Sequence, residues 1–179
     1  MLGRDAITTL KQLLWGSEER VYALLDGASV PGLLDRLYGD PRPQFECLMH
    51  GDLAPDMAEV APYLVALDPA SELADWVLAH GWGNHWGSFA LTRRDLRTLW
   101  FHLRNLNIVY GPDGKPMLFR YYDPRVLRIF LPTCEPEQLA EMFGPVTTFV
   151  TEADAPGTAL TFALAAGELQ AGSRRIAAS

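Results

Sequence analysis

Three short, mostly apolar runs, RVYALLD (20–26), PYLVALD (62–68) and GSFAL (87–91), are separated by segments whose apolar residues recur at helical spacing. Ser29 is placed to cap a short helix carrying Leu33, Leu34 and Leu37. Ser71 opens a second, with Leu73, Trp76 and Val77 on one face. Thr92 and Asp95 have capping-box spacing, and Leu96, Leu99, Trp100 and Leu103 then follow at i, i+3, i+4 and i+7. Alternation of this kind predicts an α/β domain, because a helix between two strands is the usual crossover between parallel neighbours. The expectation is a single domain with a mixed, partly parallel sheet flanked by helices.

After the third helix the pattern changes. LNIVY (106–110) and MLFRYY (117–122) flank GPDGKP, whose Asp-Gly marks a hairpin turn. Two short helices follow, the second with Pro136 in its first turn and ending at Gly144-Pro145. TTFVTE and TALTFALA read as a C-terminal antiparallel strand pair. The domain is expected to occupy residues 1–170, with a small, polar tail over 171–179 that frays.

The chain is 49% hydrophobic, richer in apolar residues than a disordered chain. No apolar run is long enough to span a bilayer, so no membrane insertion is expected. MLGRDAITTLKQLLW lacks the apolar core of a signal peptide. Cys47 and Cys134 stand far apart and outside any CxxC pair, which fits a reducing cytoplasm. A net charge of −7 argues against nucleic-acid binding, which depends on basic residues at phosphates.

Local catalytic motifs are absent from the sequence. Asp26 and Asp68 end predicted strands and Asp123 follows a third, an arrangement that would suit a Mg²⁺ site if the strands were parallel. The competing reading is that each aspartate makes a turn or caps a helix. His80 and His85, in HGWGNHWG, are five apart and miss the i, i+4 spacing of a helical metal pair. Ser88 lacks a GxSxG elbow. No cofactor is expected. In the same loop Trp82 is a candidate binding anchor, and Trp86 is expected to fold onto the core.

The segment FRYYDPRVLRIFLPT (119–133) concentrates three arginines, two tyrosines and an aspartate among apolar residues. Strand alternation puts Met117, Phe119 and Tyr121 on one face and Leu118, Arg120 and Tyr122 on the other. Asp123 suits an N-cap and Pro124 a first helical residue. Val126, Leu127, Phe130 and Leu131 then face inward, with Arg125 and Arg128 on the other side. Arg120, Tyr122, Asp123, Arg125 and Arg128 are candidates for partner contact. An intramolecular Arg–Asp network is the alternative, and the residues alone leave both open.

YALLDGA, APYLVAL, WGSFAL, LRTLWFHLR, FRYYDPRVLRIFLPT and FGPV, in this order, resemble the small α/β domain of type VI secretion effector adaptors, or effector chaperones. The resemblance runs from about Val21 to Val146. It implies a non-catalytic cytoplasmic protein of the secreting bacterium. Such a protein binds a cognate toxic effector, usually by its N-terminal region, and helps load it on the C-terminal region of the valine–glycine-repeat spike protein. Many members extend into a further helical region, whereas this chain ends about 30 residues after FGPV. A metal-dependent enzyme built on the three aspartates and an immunity-like toxin inhibitor are the alternatives.

Overall fold

A computed structural model describes residues 1–39, 41–155 and 157–176. Its centre is a seven-stranded sheet in the order β2-β3-β1-β4-β7-β8-β9. The strands are β1 (Arg20–Asp26), β2 (Phe45–Cys47), β3 (Pro62–Leu67), β4 (Gly87–Thr92), β7 (Thr148–Glu152), β8 (Thr158–Ala165) and β9 (Glu168–Arg175). Strands β5 (Ile108–Tyr110) and β6 (Pro116–Leu118) form a separate hairpin, as the Asp-Gly turn predicted. The helices are α1 (Arg4–Leu14), α2 (Leu33–Leu37), α3 (Pro55–Val60), α4 (Glu72–Trp76), α5 (Leu96–Leu106), α6 (Pro124–Phe130) and α7 (Pro136–Phe143).

Every neighbouring pair in the sheet is antiparallel, which corrects the expected partly parallel arrangement. The reason lies in where the crossovers land. Strands β1 and β2 point the same way, but β3 lies between them. Likewise β3 and β4 point the same way with β1 between them. The crossovers through α2 and α4 do join parallel strands, yet each skips one position that an antiparallel strand fills, while the connections through α3 and through α5 to α7 join antiparallel neighbours directly.

A second property of the sequence pointed the same wrong way. Antiparallel sheets commonly leave one face in water and alternate apolar with polar residues. Here both faces are covered, so β1 is buried from Val21 to Asp26. Val21, Ala23 and Leu25 pack with Leu10 and Leu14 of α1, Leu33 and Leu37 of α2, and Ala74 of α4. Tyr22 and Leu24 pack on the other side with Leu99 and Leu103 of α5, Leu127 of α6 and Leu139 of α7. The result is a three-layer sandwich on an antiparallel sheet.

Several local readings also change. Gly32, with φ 67°, precedes α2, and Ser29 instead donates its hydroxyl to Asp26 Oδ2 at 3.0 Å. The Thr92–Asp95 capping box does not form. Asp95 is itself the N-cap of α5, accepting from Thr98 N at 2.8 Å, while Thr92 Oγ1 donates to Pro145 O at 2.6 Å. Residues 171–175 of the tail expected to fray lie in β9 and pair with β8, so the C-terminal pair is a three-stranded meander with β7. Ile176 is buried, its amide donating to Gly157 O at 2.9 Å, and residues 177–179 fall outside the described residues. Among the described residues no helix is long and apolar enough to cross a membrane.

Candidate functional site

Strand β6 stops at Leu118, earlier than the run MLFRYY suggested, and the alternation of faces stops with it. The chain turns back between Arg120 and Asp123, whose amide donates to Arg120 O at 3.0 Å. Two successive rings therefore enter the interior: Tyr121 is 0% exposed and Tyr122 1%. Tyr121 hydroxyl donates to Leu103 O at 2.9 Å. Burial, and after it the Asp26 charge, pushes the Tyr122 hydroxyl up to about 12.

At this turn two buried carboxylates face two part-exposed guanidinium groups. Asp26 is the last residue of β1 and Asp123 is the N-cap of α6, and both are buried. Arg120 pairs with Asp26 and lies 3.7 Å from Asp123 Oδ2. Arg125 clamps Asp123 from Nε at 3.0 Å and from Nη2 at 2.7 Å, while its amide donates to Oδ1 at 2.9 Å. Asp26 also accepts from Ala28 N and Ser29 Oγ, so its carboxylate closes the turn after β1. Burial alone would raise the Asp123 carboxyl, but the Arg125 bonds and the two arginine charges hold it below the usual carboxylate value. Arg120 is raised: burial opposes the cation, and the Asp26 hydrogen bond and charge outweigh it.

The sequence candidates therefore divide by exposure. The side chains of Arg120 and Arg125 are 41% and 50% exposed and present guanidinium edges outward. Tyr122 and Asp123 are interior groups that hold the turn. Arg128 is largely covered, pairing with Asp154 and donating to Glu152 O at 3.4 Å, and it ties α6 to β7. Trp82 is also interior, 6% exposed and stacked on Phe89 with ring centres 6.2 Å apart. Trp86 is half-buried, with its ring 4.6 Å from that of Trp76.

The loop holding both tryptophans hangs on a residue the sequence reading passed over. Glu152, buried on β7, accepts from the amide of Gly83 and from His85 Nδ1. His85 sits in the left-handed region at φ 58°, a conformation uncommon for residues other than glycine. The contact spans 67 positions, so no local pattern announces it.

The three aspartates do not converge. Asp26 pairs in register with Pro62, at the start of β3, whereas Asp68 follows Leu67, at its far end beside Val21. Asp26 and Asp68 thus mark opposite ends of the sheet, because antiparallel strands send successive carboxyl ends in opposite directions. Asp68 caps its own turn, accepting from Ala70 N at 2.7 Å. Among the described residues no three His, Cys, Asp or Glu side chains are grouped to hold a metal ion.

Comparison with known proteins gives one family. A family model described as a domain of unknown function (DUF4123) matches residues 21–141, about two thirds of the chain. No curated protein and no solved structure matches.

Proposed function

The chain belongs to the DUF4123 family, and we propose that it is a non-catalytic adaptor that binds a cognate type VI secretion effector and helps load it onto the spike protein. The observation that carries this reading is the family match itself, over residues 21–141, in a family associated with type VI secretion effectors. The match encloses the whole Arg120–Asp123–Arg125 turn. Its two guanidinium groups are held in place by buried carboxylates before any partner arrives. Groups already ordered lose less freedom on binding, and arginine forms planar paired hydrogen bonds with carboxylates and carbonyls.

The adaptor works in the cytoplasm of the secreting cell. It shields an N-terminal segment of the effector and meets the C-terminal region of the spike with another part of its surface. A standard interface buries about 800 Å² per partner. The chain exposes 9606 Å², so two such contacts fit side by side. Joining two weak contacts in one complex raises the effective concentration of the second partner.

The test is co-expression with the cognate toxin and the cognate spike protein, followed by purification through a tag on the adaptor. Both proteins should be retained, and deletion of the adaptor should lower the toxin's level or its export. Retention of neither, with unchanged toxin level and export in the deletion strain, would sink the reading.

A further inference from the structure

The β5–β6 hairpin stands outside the sandwich, and every residue of both strands is exposed. Of eleven large apolar side chains exposed among the described residues, five lie in this hairpin: Ile108, Val109, Tyr110, Met117 and Leu118. The register pairs Ile108 with Leu118 and Tyr110 with Pro116, so these four share one face. A sixth exposed apolar residue, Phe101, lies on α5 between Arg97 and Asn105, which are also exposed and four positions away on either side, so one side of the helix stays open toward the hairpin. Isolated two-stranded hairpins are marginal in water, and contiguous exposed apolar surface marks sites of interaction.

Charge says what the occupant is like. Residues 93–128 contain eight Arg or Lys and three Asp, whereas the rest of the chain contains seven basic and nineteen acidic residues. Arg93, Arg94 and Arg97 are exposed around the start of α5, and no ion pair among the described residues includes them. The helix between them and the hairpin is 11 residues long, about 16 Å. Helix α5 therefore leads from a basic end to the apolar hairpin.

We propose that the exposed side of α5 and the β5–β6 hairpin form a docking strip for one segment of a partner protein, acidic at one end and apolar at the other. This rests on the adaptor reading, in which that segment belongs to the effector. The acidic end lies over Arg93, Arg94 and Arg97, and the apolar end covers Ile108, Tyr110 and Leu118. A second copy of the chain is a poorer fit. Its acidic and apolar exposed helix is α3, with Asp56, Met57, Glu59 and Val60, and at six residues, about 9 Å, it is too short to cover the strip.

The probe is a labelled 18-residue helical peptide, with Glu in two turns at one end and Leu at i, i+3, i+4 and i+7 in the rest, titrated into the intact protein. A control peptide carries Lys in place of Glu. The Glu peptide should bind at least about tenfold tighter than the Lys peptide and weaken with salt. Tyr110→Ser with Leu118→Ser should cost at least about tenfold in affinity, and Arg93→Glu with Arg94→Glu should abolish the preference for Glu. All four positions are exposed, and unchanged melting temperatures would confirm that the variants fold. Equal binding of the two peptides, no binding by either, or binding that survives the hairpin variant overturns the proposal. So does a dimer of the unaltered protein in sedimentation that Leu118→Ser dissociates, since the occupant is then a second copy. Effector retention that persists in the hairpin variant overturns the strip and leaves the adaptor reading standing. Peptide discrimination without effector retention sinks the adaptor reading alone.

Discussion

Arg120 and Asp26 meet across 94 positions of sequence, and their ion pair ties the end of β1 to the turn that opens α6. One end of the pair is buried and the other reaches water, with side-chain exposures of 2% and 41%. Replacing Asp26 by Ala should cost about 2 kcal/mol, because the Ala28 and Ser29 hydrogen bonds go as well. Arg120→Ala should cost about half as much, since solvent screens the exposed guanidinium. A double-mutant cycle in urea checks the coupling, and additive losses would mean that the two groups act independently.

Arg125→Glu separates interface from scaffold. Asp123 keeps the amide of Arg125 as a cap partner after the change, so the melting temperature should fall by no more than about 4 °C. Effector retention should drop at least about tenfold. A large fall in melting temperature with retention preserved in the folded fraction would assign Arg125 to the scaffold.

Acid should destabilise the protein in two windows. His102 is held below its ordinary 6.5, first by burial, so the unfolded chain takes up a proton that the folded one resists. Stability is then complete above about pH 6.5 and falls as the pH drops through the interval below it. Asp123 is held below its ordinary 3.8, so its contribution is complete above about pH 5 and is lost as the pH falls through the lowered value. Urea midpoints measured from pH 8 to pH 3 should show both slopes. His102→Gln should flatten the first alone and Asp123→Asn the second alone.

Gly87→Ala should be among the most damaging single changes. An added Cβ would lie 1.9 Å from the backbone oxygen of Leu24, where β4 pairs with β1 and neither strand has room to withdraw. A loss of more than about 3 kcal/mol is expected. Gly114→Ala, at φ +72° in the exposed hairpin turn with nothing within 4 Å, should cost only about 1 kcal/mol. Thermal unfolding of the two variants side by side gives the comparison.

Glu152→Ala should release the tryptophan loop. Gly83 N loses its acceptor and His85 loses the carboxylate that holds its left-handed backbone. A loss of about 2 kcal/mol is expected, with red-shifted tryptophan emission as Trp82 gains solvent. Unchanged emission at equal stability would show that the loop is held by ring packing alone.

What sequence reasoning captured follows from range. Helical spacing fixed α5, the proline and aspartate fixed the start of α6, and Asp-Gly fixed the hairpin, because each signal lies within a few residues. The direction of the strands depended on which strand would fill the gap left by a crossover, and no local pattern carries that. The site shows the same divide. Asp123 as a cap was readable from its neighbour Pro124, whereas Asp26 as the partner of Arg120 and Glu152 as the anchor of His85 depend on packing between distant elements. Tyr122 and Trp82 had the composition of interface residues, but aromatic rings serve cores equally well. Exposure of the hairpin was hidden for a related reason: its apolar residues looked like one more half-buried pair of strands.

The skipped positions in the sheet also set the order of events at the ribosome. Strand β1 emerges before both of its neighbours and must wait for them, since β3 is complete only at Leu67 and β4 only at Thr92. At ordinary rates of synthesis the wait for Thr92 lasts on the order of several seconds. Until β3 is made, six consecutive residues destined for burial, Val21 to Asp26, have no strand on either edge, and until β4 is made one edge stays open. A protein read here as the keeper of another chain's vulnerable segment thus carries one of its own through the first stage of its life.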